Sequence, residues 1–134
     1  MSLFPSLGVS ASGMVTMRTW LDAISHNVAN VNTANRTSEA PVQETFVVAK
    51  SIPGEPVGHG VQVTQTVQGT GEGRLVYDPD NPLADANGLV QYPAIDMVDQ
   101  MTNLIIAQRA YQANVTVFER ARDAYLRALE IGRS

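Results

Sequence analysis

The sequence has no cysteine, so disulfide bridges and thiolate chemistry, catalytic or metal-binding, are excluded. Lysine occurs once, at Lys50, and histidine twice, at His26 and His59. The remaining cations are scattered arginines and the net charge is −4, so no nucleic-acid surface is expected. No run of 18 apolar residues exists, so no spanning helix and no integral membrane protein is expected. The first cation is Arg18, and no compact apolar stretch precedes a small-residue cleavage site; a cleaved secretory signal is therefore not expected. Proline is missing from residues 94–134 and occurs only once, at Pro5, before residue 41.

What is present divides the chain of 134 residues into three textures. Residues 1–33 are poor in charge and follow a helical period. Leu3, Leu7, Ser10, Met14, Met17, Leu21, Ile24, Val28 and Val31 alternate at spacings of four and three, the seam of helices that pack knobs into holes. Pro5 suits a first helical turn, where its missing N–H costs nothing. Gly8 and Gly13 are unfavourable inside a helix, by about 1 kcal/mol each against alanine. Two readings stand: a frayed start, or a small-residue face over Gly8, Ser10, Ala11, Ser12 and Gly13 that admits another helix closely. Asn30 and Asn32 are placed where a left-handed C-cap is expected.

Residues 94–134 carry a broader stripe: Met97, Met101, Leu104, Tyr111, Val115, Phe118, Tyr125 and Leu129, interrupted at Gln108 and Arg122. Ala107, Asn114, Ala121 and Ala128 widen it. A helix over 95–131 would span about 55 Å and the N-terminal one about 40 Å. Antiparallel packing of the two is the expected arrangement. Asn114 sits within the apolar face, where a polar residue fixes register and partner choice at some cost in stability. Asp96 and Asp99 suit the positive end of the second helix. The middle, 34–93, reads as β, with strands at Gln43–Lys50, Gly60–Gln68, Arg74–Tyr77 and Leu89–Tyr92 between Pro/Gly/Asn/Asp turns. The expected fold class is α+β: long terminal helices packed as an extended, coiled-coil-like hairpin, with a small β-rich middle.

Candidate chemistry is sparse. Neither His26 nor His59 has a second ligand at metal-binding spacing. Gly69-Thr70-Gly71-Glu72-Gly73 lacks the lysine and following helix of a phosphate loop. Asp78-Pro79-Asp80-Asn81-Pro82 with Asp85, Asn87 and Gly88 fails the EF-hand spacing, because Leu89 stands where a bidentate glutamate is required. No nucleophile elbow occurs. No enzyme activity, metal or cofactor is expected.

Three segments carry a resemblance. Val9-Ser10-Ala11-Ser12-Gly13-Met14, followed by Ile24-Ser25-His26-Asn27-Val28-Ala29-Asn30-Val31-Asn32-Thr33, resembles the N-terminal motif of bacterial flagellar rod and hook proteins. Val76-Tyr77-Asp78-Pro79, Asn81-Pro82-Leu83-Ala84-Asp85-Ala86-Asn87-Gly88 and Val90-Gln91-Tyr92-Pro93 are similar to the middle motif of a proximal rod protein. Ala107-Gln108-Arg109-Ala110-Tyr111-Gln112-Ala113-Asn114-Val115 and Ala128-Leu129-Glu130-Ile131-Gly132-Arg133 fit the same family. The chain departs from the family pattern at His26-Asn27, where paired asparagines are usual, and at Pro41-Val42-Gln43-Glu44, where a basic stretch is usual.

The resemblance implies a structural subunit of a hollow drive-shaft in the flagellar basal body, outside the cytoplasmic membrane in the periplasm or its equivalent. Such proteins pass through the flagellar type III export apparatus without a cleaved signal. Implied partners are copies of itself, other proximal and distal rod proteins, the adaptor at the rod base where it joins the MS ring, and the export apparatus. The implied assembly face comprises Leu7, Ser10, Gly13, Met14, Met17, Leu21, Ile24, Asn27, Val28 and Asn30 on the first helix. On the second it comprises Leu104, Tyr111, Asn114, Val115, Phe118, Tyr125 and Leu129. A secreted helical effector or adaptor forming a discrete dimer is the alternative, against which the β-rich middle argues.

Overall fold

The computed structural model describes residues 4–54 and 58–133. Leu3 of the N-terminal seam and part of the 53–60 turn lie outside them. The element order is α1 (Phe4–Asn30), β1 (Thr45–Ile52), β2 (Gly60–Gln68), β3 (Arg74–Tyr77), β4 (Leu89–Tyr92) and α2 (Met97–Gly132). The chain is α+β, with two long helices enclosing a small middle of antiparallel strands.

α1 has no acidic residue in its first turn and ends without a left-handed residue, since no non-glycine residue among those described has positive φ. The expected left-handed asparagine cap is corrected: Asn30 closes the last turn with its side chain. Its Nδ2 donates to the His26 carbonyl at 2.8 Å and its own carbonyl accepts from Thr33 N–H at 2.9 Å. α2 starts at a defined cap. The Asp96 carboxylate accepts from Val98 N–H at 2.7 Å and Asp99 N–H at 3.2 Å, satisfying two of the helix's orphan donors. Asp99 follows in the first turn, where the dipole favours a negative charge.

Two separate two-stranded sheets form, β1–β2 and β3–β4. Three strands coincide with the expected ones, whereas β1 is displaced by two residues at both ends, running Thr45–Ile52 instead of Gln43–Lys50. In β1–β2 the register shifts between Val48 and Ala49, and Thr64 Oγ1 donates to the Val48 carbonyl there at 3.1 Å. An extra residue reverses which face each later side chain occupies. Val61 and Val63 before it are half-buried, whereas Val67 and its cross-strand partner Phe46 are 39% and 46% exposed. In β3–β4 the Arg74 guanidinium lies 5.5 Å from the centroid of the Tyr92 ring opposite it. Asn35 adds one further bridge on Gln91, exchanging two backbone bonds of 2.8 and 3.0 Å.

α1 and α2 run antiparallel. Phe4 meets Tyr125 edge-on at 5.1 Å between ring centroids, Gly13 lies against Asn114, and Asn27 bonds Gln100. The β1–β2 ribbon lies along α1 as well, with Thr45 beside Asn27 and Val61 beside Ser12. α1 is thus covered on two sides.

The core is small. Its buried apolar side chains include Ala23, Ile24, Val31, Val90, Ile95 and Ala107, and Ser10, Thr16, Asn27 and Gln100 are buried with them. The accessible surface is 9124 Å². A compact protein of 14.4 kDa would expose about 6,800 Å². The excess reflects an open arrangement in which long stretches of both helices and of the strands are exposed.

Candidate assembly face

Apart from Ile24, the residues most deeply buried on the two helices are small or polar. α1 buries Ser10, Gly13, Thr16, Ala23, Ile24 and Asn27, and α2 buries Gln100 and Ala107. On a helical wheel the buried line of α1 is turned by about a quarter turn from the hydrophobic seam. The seam residues Leu7, Met14, Met17, Leu21 and Val28 are only half-buried. The cause is size: where α2 and the ribbon both approach α1, short side chains allow the closest backbone distance. The bulky residues are pushed to the margin.

Gly13 shows this directly. A Cβ at this position would stand 2.7 Å from Asn114 Oδ1 and 2.9 Å from its Cγ. The Asn114 Nδ2 donates to the Ala110 carbonyl of its own helix at 2.9 Å. Asn114 is therefore seated against the missing Cβ of Gly13. The reading of this segment as a small-residue face for another helix holds at Gly13, which meets Asn114 of α2; Ser12 instead faces β2, and nothing packs within 4 Å of Gly8. Ser12 Oγ donates to the Val9 carbonyl at 2.7 Å and accepts from Val61 N–H at 3.0 Å. Gly60, with φ of +108°, lies so close that its Cβ would strike Ser12 Oγ.

At the opposite end of the helix pair a polar brace links three elements. Asn27 Oδ1 accepts from Thr45 N–H at 2.8 Å. Asn27 Nδ2 donates to the Thr45 carbonyl and to Gln100 Oε1, both at 3.0 Å. Gln100 Nε2 then donates to Glu44 Oε1 at 2.7 Å. Asn27 uses both amide hydrogens and its oxygen while only 2% exposed, so a buried polar group is satisfied and fixes β1 against both helices. Glu44, one of the departures from the family pattern, thus has a task inside the chain. His26 at the other departure is exposed, with Nδ1 3.4 Å from Thr45 Oγ1.

The residues of the expected assembly face occupy different environments in the fold. Ser10, Gly13, Ile24 and Asn27 are buried within the chain and join its own elements. Asn30, Leu104, Tyr111, Asn114, Val115, Phe118 and Tyr125 are half-buried along the helix pair, and Leu129 is 48% exposed. Gln100 was not among the expected residues. Its signal was present: it stands one heptad before Ala107, in line with Asn114 and Ala121.

Part of the unclaimed surface of the pair is apolar. Met101 of α2 is exposed where it lines the same groove as the half-buried Val28 of α1; Met97 and Ile105 of α2 are also exposed, as is Leu129 at the far end of that helix. Between the helices lies a groove of about 240 Å³ lined by Ile24, Ser25, Val28, Ala29, Met101 and Leu104, with no charged side chain in its lining. Contiguous apolar surface of this kind marks a contact with another macromolecule.

The acidic loop 78–88 serves the fold. Asp85 accepts from Asn87 N–H at 2.8 Å, Leu89 N–H at 3.0 Å and Thr37 Oγ1 at 3.1 Å. These bonds, the Leu89 N–H foremost, hold the Asp85 carboxyl below its usual range, against a smaller opposing effect of burial. A depressed carboxylate stabilises the fold above the unfolded-state value, about 4, and the contribution is lost as pH falls through the lower folded-state value. Acid unfolding of Asp85→Asn is expected to be less steep below pH about 4; chemical denaturation at a series of pH values measures it.

No described helix is long and apolar enough to cross a membrane. Residues 86–131 match the family model described as "Flagellar basal body rod FlgEFG protein C-terminal", which spans β4 and nearly all of α2. The chain is also 33% identical to the flagellar basal-body rod protein FlgC of Salmonella typhimurium, over 99% of this chain and all of that one. The chain belongs to the FlgC family of flagellar basal-body rod proteins. Identity to the Bacillus subtilis FlgC is 33% over 99% of this chain and all of the relative. To that of Borreliella burgdorferi it is 30% over 98% of each. Each of these matches spans nearly the whole chain. Nothing in these matches supports the alternative of a secreted dimeric adaptor.

Proposed function

We propose that this chain is a subunit of the proximal part of the flagellar rod. It polymerises through its terminal helices into a hollow drive-shaft that transmits torque and passes exported subunits. The observation that carries the reading is the division of labour on the helices. Small and polar residues join α1 to α2, and the bulky apolar residues are left at the margin for neighbours. Within the three-part division 1–33, 34–93 and 94–134, the helical ends build the tube wall and the β-rich middle faces outward. Neighbours are copies of the chain and other proximal and distal rod proteins, with the adaptor at the rod base joining it to the MS ring. The subunit reaches its place, outside the cytoplasmic membrane in the periplasm or its equivalent, through the flagellar export apparatus and without a cleaved signal. Its role is structural and needs neither catalysis nor cofactor.

Leu21→Asp tests this reading. Leu21 is half-buried at the margin of the pair, so the charge is tolerated in a free subunit but not between subunits, where an unpaired buried charge is strongly unfavourable. Export of the variant should match wild type, while rods per cell and swimming fall at least tenfold. Normal rods and normal swimming would contradict the proposal.

A further inference from the structure

The loop before β4 holds a chemically labile pair that assembly does not use. Asn87 alone among the asparagines of the chain precedes a glycine. Asparagine is among the thermolabile residues, and a following glycine has no side chain to keep its nitrogen from the asparagine carboxamide. Asn27, Asn30, Asn32 and Asn114 precede β-branched residues. Asn81 precedes Pro82, whose nitrogen carries no hydrogen. Asn87 is exposed to water. Its glycine cannot be exchanged for a bulkier residue. Gly88 has φ of +75°, and a Cβ there would stand 2.9 Å from Tyr77 Cε2 and 3.1 Å from Pro79 Cβ, so conformation and space both require glycine.

The turn that needs the pair also restrains it. The Gly88 N–H donates to the Asp85 carbonyl at 2.9 Å. On either side, the Asn87 and Leu89 N–H groups donate to Asp85 Oδ1 at 2.8 and 3.0 Å. The Asp85 N–H donates to the Leu89 carbonyl at 2.9 Å. Before the Gly88 nitrogen can reach the side-chain carbon of Asn87, its bond to Asp85 must break and the peptide between the two residues must rotate. We propose that Asn87–Gly88 is a self-modification site gated by Asp85, closed in the folded chain and reactive when the turn opens. The reaction needs only water. The Gly88 nitrogen gives its proton to water or hydroxide and bonds to Asn87 Cγ. The bond from Cγ to Nδ2 breaks, and Nδ2 leaves as ammonia after taking a proton from water. Water then opens the five-membered imide at either carbonyl. One opening leaves aspartate at position 87, and the other leaves isoaspartate, whose main chain is lengthened by a methylene. The added length falls between Asp85 and Leu89, where the Asp78 N–H also donates to the Gly88 carbonyl at 2.9 Å to close the β3–β4 ribbon. A chain held unfolded thus acquires a lesion at the point where that ribbon must close.

The test follows deamidation at position 87 by peptide mass spectrometry of the full chain, folded and in denaturant at one pH and temperature. Isoaspartyl methyltransferase labelling reads the rearranged product. The folded wild type should deamidate at least tenfold more slowly than the unfolded chain. That slowing should match the protection of the Gly88 amide from hydrogen exchange, because both processes need the same N–H released by local opening. Asp85→Ala should raise the rate in folded protein at least tenfold and leave the rate in denaturant unchanged. The comparison within wild type stands even if that variant fails to fold. Equal rates in folded and unfolded wild type would overturn the proposal. A folded Asp85→Ala protein that deamidates as slowly as wild type would overturn the gating role of Asp85.

Discussion

Replacing Asn27 with alanine is expected to speed hydrogen exchange at the Thr45 amide by about 10- to 100-fold. That N–H donates to Asn27 Oδ1 at 2.8 Å, and the Thr45 carbonyl and Gln100 Oε1 each accept from Asn27 Nδ2 at 3.0 Å. Removing one residue strips partners from three groups around a site that is almost sealed from water. A buried donor or acceptor left without a partner costs roughly 1–3 kcal/mol, and each 1.4 kcal/mol is a factor of about ten. The effect should be local at first, reaching β1 and the Gln100 turn of α2 before the Phe4–Tyr125 end. Hydrogen exchange resolved by residue checks both size and place. Unchanged protection at Thr45 would mean that the brace does not hold β1 to the helices.

Gly13→Leu is expected to force α1 and α2 apart. Asn114 atoms stand 2.7–2.9 Å from where a Cβ would be, closer than any real carbon contact allows, and the rest of the leucine side chain adds to the conflict. Overpacking of this kind costs about 1–3 kcal/mol, and the gain in helix propensity over glycine, about 1 kcal/mol at most, does not offset it. The companion variant Asn114→Ala makes the cause testable. If the clash is with Asn114, the double variant should recover part of the loss, with a coupling of about 0.5–3 kcal/mol. Thermal unfolding of the four proteins of the cycle measures it. Additive losses would place the conflict elsewhere.

The parts of the fold legible in the sequence were those governed by local chemistry. Gly60–Gln68, Arg74–Tyr77 and Leu89–Tyr92 were readable because alternation and flanking turn residues define a strand without reference to its neighbours. Asp96 was readable as a helix start for the same reason. The inner face of α1 was not, because the hydrophobic seam through Met14 and Leu21 is stronger than the line through Gly13, Thr16 and Asn27. The chain packs that line inward on the basis of size. Hydropathy reports what avoids water and says nothing of whether a neighbour lies in the same chain or another. Asn27 and Gln100 illustrate the remaining gap. They lie 73 positions apart, and their polarity reads as exposure until β1 and α2 are placed around them. Asn114 stands out in the sequence because it interrupts an apolar row; in the fold it lies against Gly13.

The same division explains why a chain with so small a core is built on helices of 27 and 36 residues. Long helices gain most of their stability from packing an apolar face. Here only the small and polar part of that face is packed within the chain. The brace and the Gly13–Asn114 contact position two rigid rods relative to each other. In the proposed assembly, the residues worth most on burial, at about 25 cal/mol per Å² of apolar area, would meet neighbouring subunits. Stability and assembly would then be coupled, with full stability reached only when the neighbours are in place.

Thiol labelling of single-cysteine variants at Leu21 and Val28, compared between the purified subunit and isolated rods, tests this account most directly. An exposed ribbon position, Ser51→Cys, serves as the reference. The two helix positions should react readily in the free subunit and at least tenfold more slowly in rods, with Ser51→Cys changing little. Equal reactivity of Leu21→Cys and Val28→Cys in both states would show that this face does not meet a neighbour and would contradict the account.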